Sequence, residues 1–179
     1  MGVRICLLFY LECPINRNLT EEYMDRLNVF GIIIIAIIMI PNIIFAVRCK
    51  EEFENRYKNR AVEIAEQIGR FGCFGFMMIN IPGTVFGWWS GEAFVIYLVV
   101  NAVLVTSYYV IWIVCFKSSS LFRALALSTL PSIMFLFSGI MSRSIPLIIA
   151  SILFAPSHVL LSYKNAKLYS ENSSLSVRK

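Results

Sequence analysis

The chain has a single histidine, His158, and no aspartate inside any of its apolar blocks. That combination leaves a Ser-His-Asp triad unsupported: Ser157 adjoins the histidine, but no carboxylate of that kind is at hand to orient the imidazole. Cysteine is no better placed for metal chemistry. Cys6, Cys13, Cys49, Cys73 and Cys115 are odd in number, far apart and free of any CxxC pair. A zinc site wants about four nitrogen or sulfur ligands at close quarters. Cys73 and Cys115 sit inside apolar runs, where the thiol packs as a small hydrophobe. No metal, no cofactor and no catalytic set is therefore expected. Charge is scarce as well, at 15% of residues against 58% hydrophobic. Soluble domains carry about 25% charged residues.

What is present is long apolar blocks. Residues 27–47, LNVFGIIIIAIIMIPNIIFAV, run without a charge. About 20 helical residues at 1.5 Å each cross a hydrocarbon core of about 30 Å. Each central isoleucine favours insertion by about 0.3–0.6 kcal/mol. Further blocks cover 71–90, 94–116, 124–141 and 145–163. In lipid the backbone must bond to itself, so helices are expected, and GIIIIAIIMI lacks the alternation of a barrel strand. The expected fold is an all-α, polytopic transmembrane bundle of about five spans within residues 27–163. An N-terminal segment 1–26 precedes it, with Met24 an alternative start. A connector 48–70 follows the first span, and a polar tail 164–179 ends the chain.

The net charge of +5 does not point to nucleic acid, because the basic residues flank the apolar blocks instead of forming one stripe. They report topology. Lysine and arginine total four on one set of alternating loops and twelve on the other. The richer side is expected to be cytoplasmic, in a multi-pass protein of the cell membrane with its N-terminus outside and C-terminus inside. The expected partners are the lipid bilayer and, in one reading, a homo- or hetero-oligomer.

The connector carries its own pattern. Phe53, Tyr57, Ala61, Ile64, Ile68 and Phe71 recur at helical spacing, with Glu54, Arg56, Lys58, Arg60, Glu63, Glu66 and Arg70 on other faces. This predicts an amphipathic helix at the membrane interface, leading into the second span. Glu66 and Arg70 are four apart, an i,i+4 pair. Continuing the same helix brings Asn80 to roughly the same face. Asn101 and His158 are polar residues at depth in the third and fifth spans. Polar side chains there face other helices or a cavity. Glu66, Arg70, Asn80, Asn101 and His158 are accordingly the candidate pocket residues, with interhelical hydrogen bonding as the alternative role.

Prolines at 41, 82, 131 and 156 predict bent helices, and Asn42 is positioned to bond a carbonyl freed at Pro41. Gly83 and Gly87, and then Ala124, Ser128 and Ser132, repeat every fourth residue. Small residues at that spacing predict close helix packing. Gly69, Gly72 and Gly75 recur every third residue, which fits neither a dinucleotide fingerprint nor a phosphate loop.

Two resemblances bear on function. FAPSH (154–158) fits F-x-x-x-H, and AEQIGR (65–70) fits part of E-E-x-x-x-R. Together they resemble the membrane-embedded prenyl-endopeptidase family of the bacteriocin-protection type. Ala65 stands where that family has its first glutamate, and no second histidine serves its last motif. IMIPNIIFAVR, EIAEQIGRFGCFGFMMINIPG and HVLLSYKNAK resemble a group of small bacterial multi-pass membrane proteins, which implies membrane residence but no activity. Three functions stay open: a transport-like or ligand-sensing module with a polar intramembrane pocket, an accessory subunit of a membrane complex, and an intramembrane hydrolase.

Overall fold

The computed structural model describes residues 26–48, 57–115 and 121–177, with side chains described as far as residue 171. The expected N-terminal segment, apart from Arg26, lies outside the described residues, as do Phe53 and the rest of 49–56. Five helices make up the fold: α1 Val29–Arg48, α2 Arg60–Met78, α3 Gly91–Val114, α4 Leu121–Met141 and α5 Ile145–Val177. Among the described residues the only non-helical pairings are two isolated bridges, Leu27 with Ile79 and Val85 with Ser144. Four of the helices, α1, α3, α4 and the Ile145–Glu171 part of α5, are long and apolar enough to cross a membrane.

Successive helices run in opposite directions. Asn28 N–H donates to the Met78 carbonyl at 2.9 Å, and Asn80 N–H to that of Arg26 at 2.7 Å. The start of α1 therefore meets the end of α2. At the opposite end, Tyr57 N–H donates to Asn165 Oδ1 at 2.8 Å, and Arg123 Nη1 to the Cys115 carbonyl at 3.4 Å. The two ends are called here the Met78 end and the Arg48 end.

The second apolar block does not form a helix over 71–90. Helix α2 starts at Arg60, where the Asn59 side chain accepts from Val62 N–H as an N-cap, and stops at Met78. The segment that follows contains Asn80, Pro82 and two glycines in the left-handed region, Gly83 at φ 78° and Gly87 at φ 74°. Proline disfavours α geometry in the residue before it, and positive φ suits glycine. Gly83 and Gly87 thus turn the chain and pack no helix; a Cβ on either would meet nothing within 4 Å. The segment lies across the α4–α5 turn. Phe86 N–H reaches the Arg143 carbonyl at 3.4 Å, Ile145 N–H the Thr84 carbonyl at 3.2 Å, and Trp89 Nε1 the Ile140 carbonyl at 3.0 Å.

Close packing comes from other glycines. A Cβ on Gly69 would lie 2.7–2.8 Å from Phe154 N, Cα and Cβ, so α2 and α5 touch almost backbone to backbone. A Cβ on Gly72 would lie 3.0 Å from the Ala150 methyl. Gly31 likewise leaves no room for a Cβ against the Met77 carbonyl. On α4, Ser128 and Ser132 are buried, and Ser132 Oγ donates to the Ser128 carbonyl at 2.8 Å. Ala124 is half-buried, one turn nearer the Arg48 end.

The orientation of α2 reverses that of a helix on a soluble protein. Its buried residues are Glu66, Gly69, Cys73 and Met77. Its apolar stripe faces out: Ile64, Ile68 and Phe71 are 50%, 60% and 69% exposed. The stripe expected to lie in the headgroups is thus exposed along a helix packed on α5, and Ile64 and Ile68 also border the cavity described below.

Pro41, Pro131 and Pro156 sit inside α1, α4 and α5. Pro41 cannot donate to the Ile37 carbonyl four residues back. Tyr109 OH takes that place, donating to it at 2.7 Å from α3. Asn42, expected in this role, instead accepts from Tyr108 OH at 2.6 Å. Tyr109→Phe is expected to lower stability by about 1–2 kcal/mol by stranding that carbonyl. Thermal unfolding in detergent reads the loss, and an unchanged transition would show that the bond contributes nothing.

Candidate functional site

Three of the expected pocket residues converge. Glu66 is one of the most buried side chains in the molecule, 1% exposed. Its Oε1 accepts from Arg70 Nη2, one turn along α2, and contacts His158 Nδ1 of α5 at 3.0 Å. The Gly69 contact explains the meeting, because it lets α5 approach α2 closely enough for a short carboxylate to reach the imidazole. The His158 ring also stacks on Phe154, with centroids 4.5 Å apart and planes 19° from parallel. Phe154 and His158 are one helical turn apart, so both follow from the same face of α5.

Depth agrees from both helices. Glu66 is about 18 Å from the Met78 end along α2, and His158 about 20 Å along α5, at 1.5 Å per residue. Carboxylate and imidazole thus meet well inside a bundle about 30 Å thick.

The cluster forms part of the wall of a cavity of about 890 Å³. Ligand sites commonly run to about 300–1,000 Å³. Its lining runs from the Arg48 end past the middle of the bundle, as far as Phe74 on α2 and Phe135 on α4. The deeper wall includes Ile38, Phe74, Phe135 and Phe154, and the end itself includes Arg60, Arg123, Asn165 and Tyr169. Tyr57 N–H and Asn165 Oδ1 tie the start of α2 to α5 beside this opening. Across the cavity, Trp112 Nε1 donates to Tyr108 OH at 3.2 Å, and that hydroxyl donates to Asn42. This chain fixes α3 against α1.

The hydrogen-bond count around Glu66 is uneven. Oε1 serves two partners, whereas Oε2 is buried and has none among the described residues. An unmatched buried carboxylate oxygen is rare and calls for a donor. With Nδ1–H donating to Glu66, the other ring nitrogen of His158 is an acceptor when the imidazole is neutral and a donor when it is charged. Among the described residues, no set of three His, Cys, Asp or Glu side chains is placed to hold a metal.

The remaining expected residues lie elsewhere. Asn80 follows α2 at the Met78 end, outside the cavity lining, because the helix stops two residues before it. Asn101 is buried between α3 and α4, where Nδ2 donates to the Tyr97 carbonyl at 2.9 Å and Oδ1 accepts from Ser138 Oγ at 3.3 Å. It is an interhelical bond, away from the cavity. Conversely, Arg123, Phe135 and Trp112 line the cavity without having stood out in the sequence. Arg123, near the start of a long apolar helix, was the signal available; the aromatics carry none beyond apolarity.

No protein-family model, curated protein or solved structure matches the chain, so the functional reading rests on its own residues.

Proposed function

We propose that the protein is a multi-pass membrane protein that binds a small ligand in this cavity, as a transport-like or ligand-sensing module. The observation that carries the reading is Glu66, buried a third of the way along α2 from Arg60, on the wall of a cavity of about 890 Å³, and held by Arg70 and His158. Ionisable side chains at such depth are costly and mark ligand or ion paths. The reversed polarity of α2 supports its crossing the membrane as a fifth span: an outward apolar stripe suits lipid and would be unfavourable in water. At 19 residues it is about 28 Å long, close to the hydrocarbon thickness. Lys58, Arg48, Arg60, Arg123, Lys164 and Lys167 gather toward the Arg48 end, whereas Arg26 and Arg143 lie at the other. In the cell membrane the cavity would then open to the cytoplasm, with the N-terminus outside.

A thermal-shift screen of the purified protein tests the binding reading. At least one small molecule or lipid is expected to raise the unfolding temperature of the wild type more than that of Ala124→Phe, which puts a ring into the cavity. A screen without any such shift would remove it. Orientation has its own test. In a cysteine-free background, Ser162→Cys is expected to react with an impermeant thiol reagent from the cytoplasmic side; labelling from outside would reverse the topology.

The meeting of Glu66, Arg70 and His158 favours a second reading, intramembrane hydrolysis. AEQIGR and FAPSH are the fragments that resemble the prenyl-endopeptidase family, and 92 residues of sequence separate the Glu66 and His158 that touch. Glu66 would take a proton from water as general base. Ala65 and the lack of a second histidine weigh against it. Cleavage of a membrane peptide, lost in Glu66→Gln, would favour this reading over binding alone. An accessory-subunit role in a larger complex has no comparable observation behind it.

A further inference from the structure

The charge of the cluster restricts what can sit against it, deep in a cavity whose other charged lining residues are Arg60, Glu63 and Arg123. Glu66 and Arg70 are in contact and cancel, so with a neutral imidazole the cluster has no net charge. An anionic head placed at Arg70 would sit beside the Glu66 carboxylate. A cationic head placed at Glu66 would sit beside the Arg70 guanidinium. Like charges at such range inside a bundle repel strongly, because the surroundings screen them poorly. The open hydrogen-bonding capacity also has a direction. Glu66 Oε2 lacks a donor, and His158 offers a second acceptor once Nδ1–H is committed to Glu66. Arg70, 34% exposed, retains N–H groups that can donate. A hydroxyl meets both demands, since it donates and accepts through one neutral atom. The neighbouring wall is aromatic and apolar: Phe74, Trp112, Phe135 and Phe154.

From these observations we infer that the cavity takes a neutral amphiphile with a hydroxyl head, of the class of long-chain alcohols and monoacylglycerols. The hydroxyl donates to Glu66 Oε2 and accepts from Arg70, and the chain lies along the aromatic wall. This inference rests on the binding reading above and adds the ligand's chemistry to it.

Trp112 is a reporter on the cavity wall. With Trp88 and Trp89 changed to phenylalanine, it is the remaining tryptophan. The protein in phosphatidylcholine nanodiscs is titrated with three probes at equal bilayer fraction: a terminally brominated long-chain alcohol, the matching fatty acid anion and the matching alkyltrimethylammonium. The alcohol is expected to quench Trp112 saturably above the bulk-lipid level. Glu66→Leu is expected to weaken that saturation by about tenfold or more, as loss of a hydrogen bond to a charged group does. Ala124→Phe, which keeps Glu66 and puts a ring into the cavity, is expected to weaken it as well, so the result does not hang on one variant folding. Equal or stronger saturation by either charged probe overturns the ligand class and leaves the binding reading standing. Saturable quenching by the alcohol that is unchanged in both variants places it outside the cavity and also overturns the class. No saturable quenching by any probe overturns the ligand class, and the thermal-shift screen then decides the binding reading.

Discussion

Gly69→Val is expected to separate α2 from α5, to lower the unfolding temperature sharply and to uncouple Glu66 from His158. The reason is the nature of the obstacle. An added Cβ would lie 2.7 Å from Phe154 Cα and 2.8 Å from its N, and backbone atoms cannot rotate away as a side-chain tip can. Overpacking a tight contact costs about 1–3 kcal/mol, sometimes more. Here the relief must come from sliding or spreading two whole helices, so a cost at the upper end is expected. The His158 Nδ1 to Glu66 Oε1 contact, 3.0 Å across the same interface, would be lost with it. Gly75 is the internal control: a Cβ there meets nothing within 4 Å, and alanine favours helix by about 1 kcal/mol over glycine. Gly75→Ala should therefore be neutral or stabilising. Thermal unfolding of both in detergent checks the pair; equal transitions for the two variants would refute the α2–α5 packing.

Glu66→Leu is the second large effect. It removes the acceptor shared by Arg70 and His158 and leaves the guanidinium inside the bundle without its counter-charge. Breaking a buried ion pair from one side costs about 3–5 kcal/mol. Arg70 keeps some contact with the cavity at 34% exposure, so about 2–3 kcal/mol is a more suitable expectation after solvation. The diagnostic variant is the double change, Glu66→Leu with Arg70→Leu. It removes both charges and should be more stable than Glu66→Leu alone, since a buried pair can often be replaced by apolar residues with little loss. A double variant that falls by the sum of the two single losses would mean that the residues do not interact.

Much of this arrangement can be read in the sequence, for identifiable reasons. Helices α1, α3, α4 and the first part of α5 follow from uninterrupted apolar blocks, the strongest pattern a chain can carry. The end of α2 does not, because residues 79–90 carry no charge, as a span would not, while their backbone is non-helical. Hydropathy reports what surrounds a segment and says little about its conformation. The breakers Asn80, Pro82 and Gly83 were the better guide, and they end the helix instead of bending it. Glu66 and Arg70 are legible as an i,i+4 pair. Their meeting with His158 depends on which faces of α2 and α5 touch, and Gly69 opposite Phe154 decides that. Asn101 shows why depth alone is insufficient. It lies about 15 Å from the Met78 end along α3, not far from the level of Glu66, yet its side chain faces α4 and bonds Ser138.

The inside-out character of α2 also sets an order of events during synthesis. A helix bearing Glu63, Glu66, Arg60 and Arg70 gains little by entering lipid alone, whereas α1 inserts on its own apolarity. The groove that receives its charged side is built largely by α5, and α5 begins at Ile145, long after α2 has left the ribosome. If α2 crosses the membrane as proposed above, the second helix to be made would be among the last to be seated, and a nascent chain stopped before Ile145 would hold it only loosely at the bilayer.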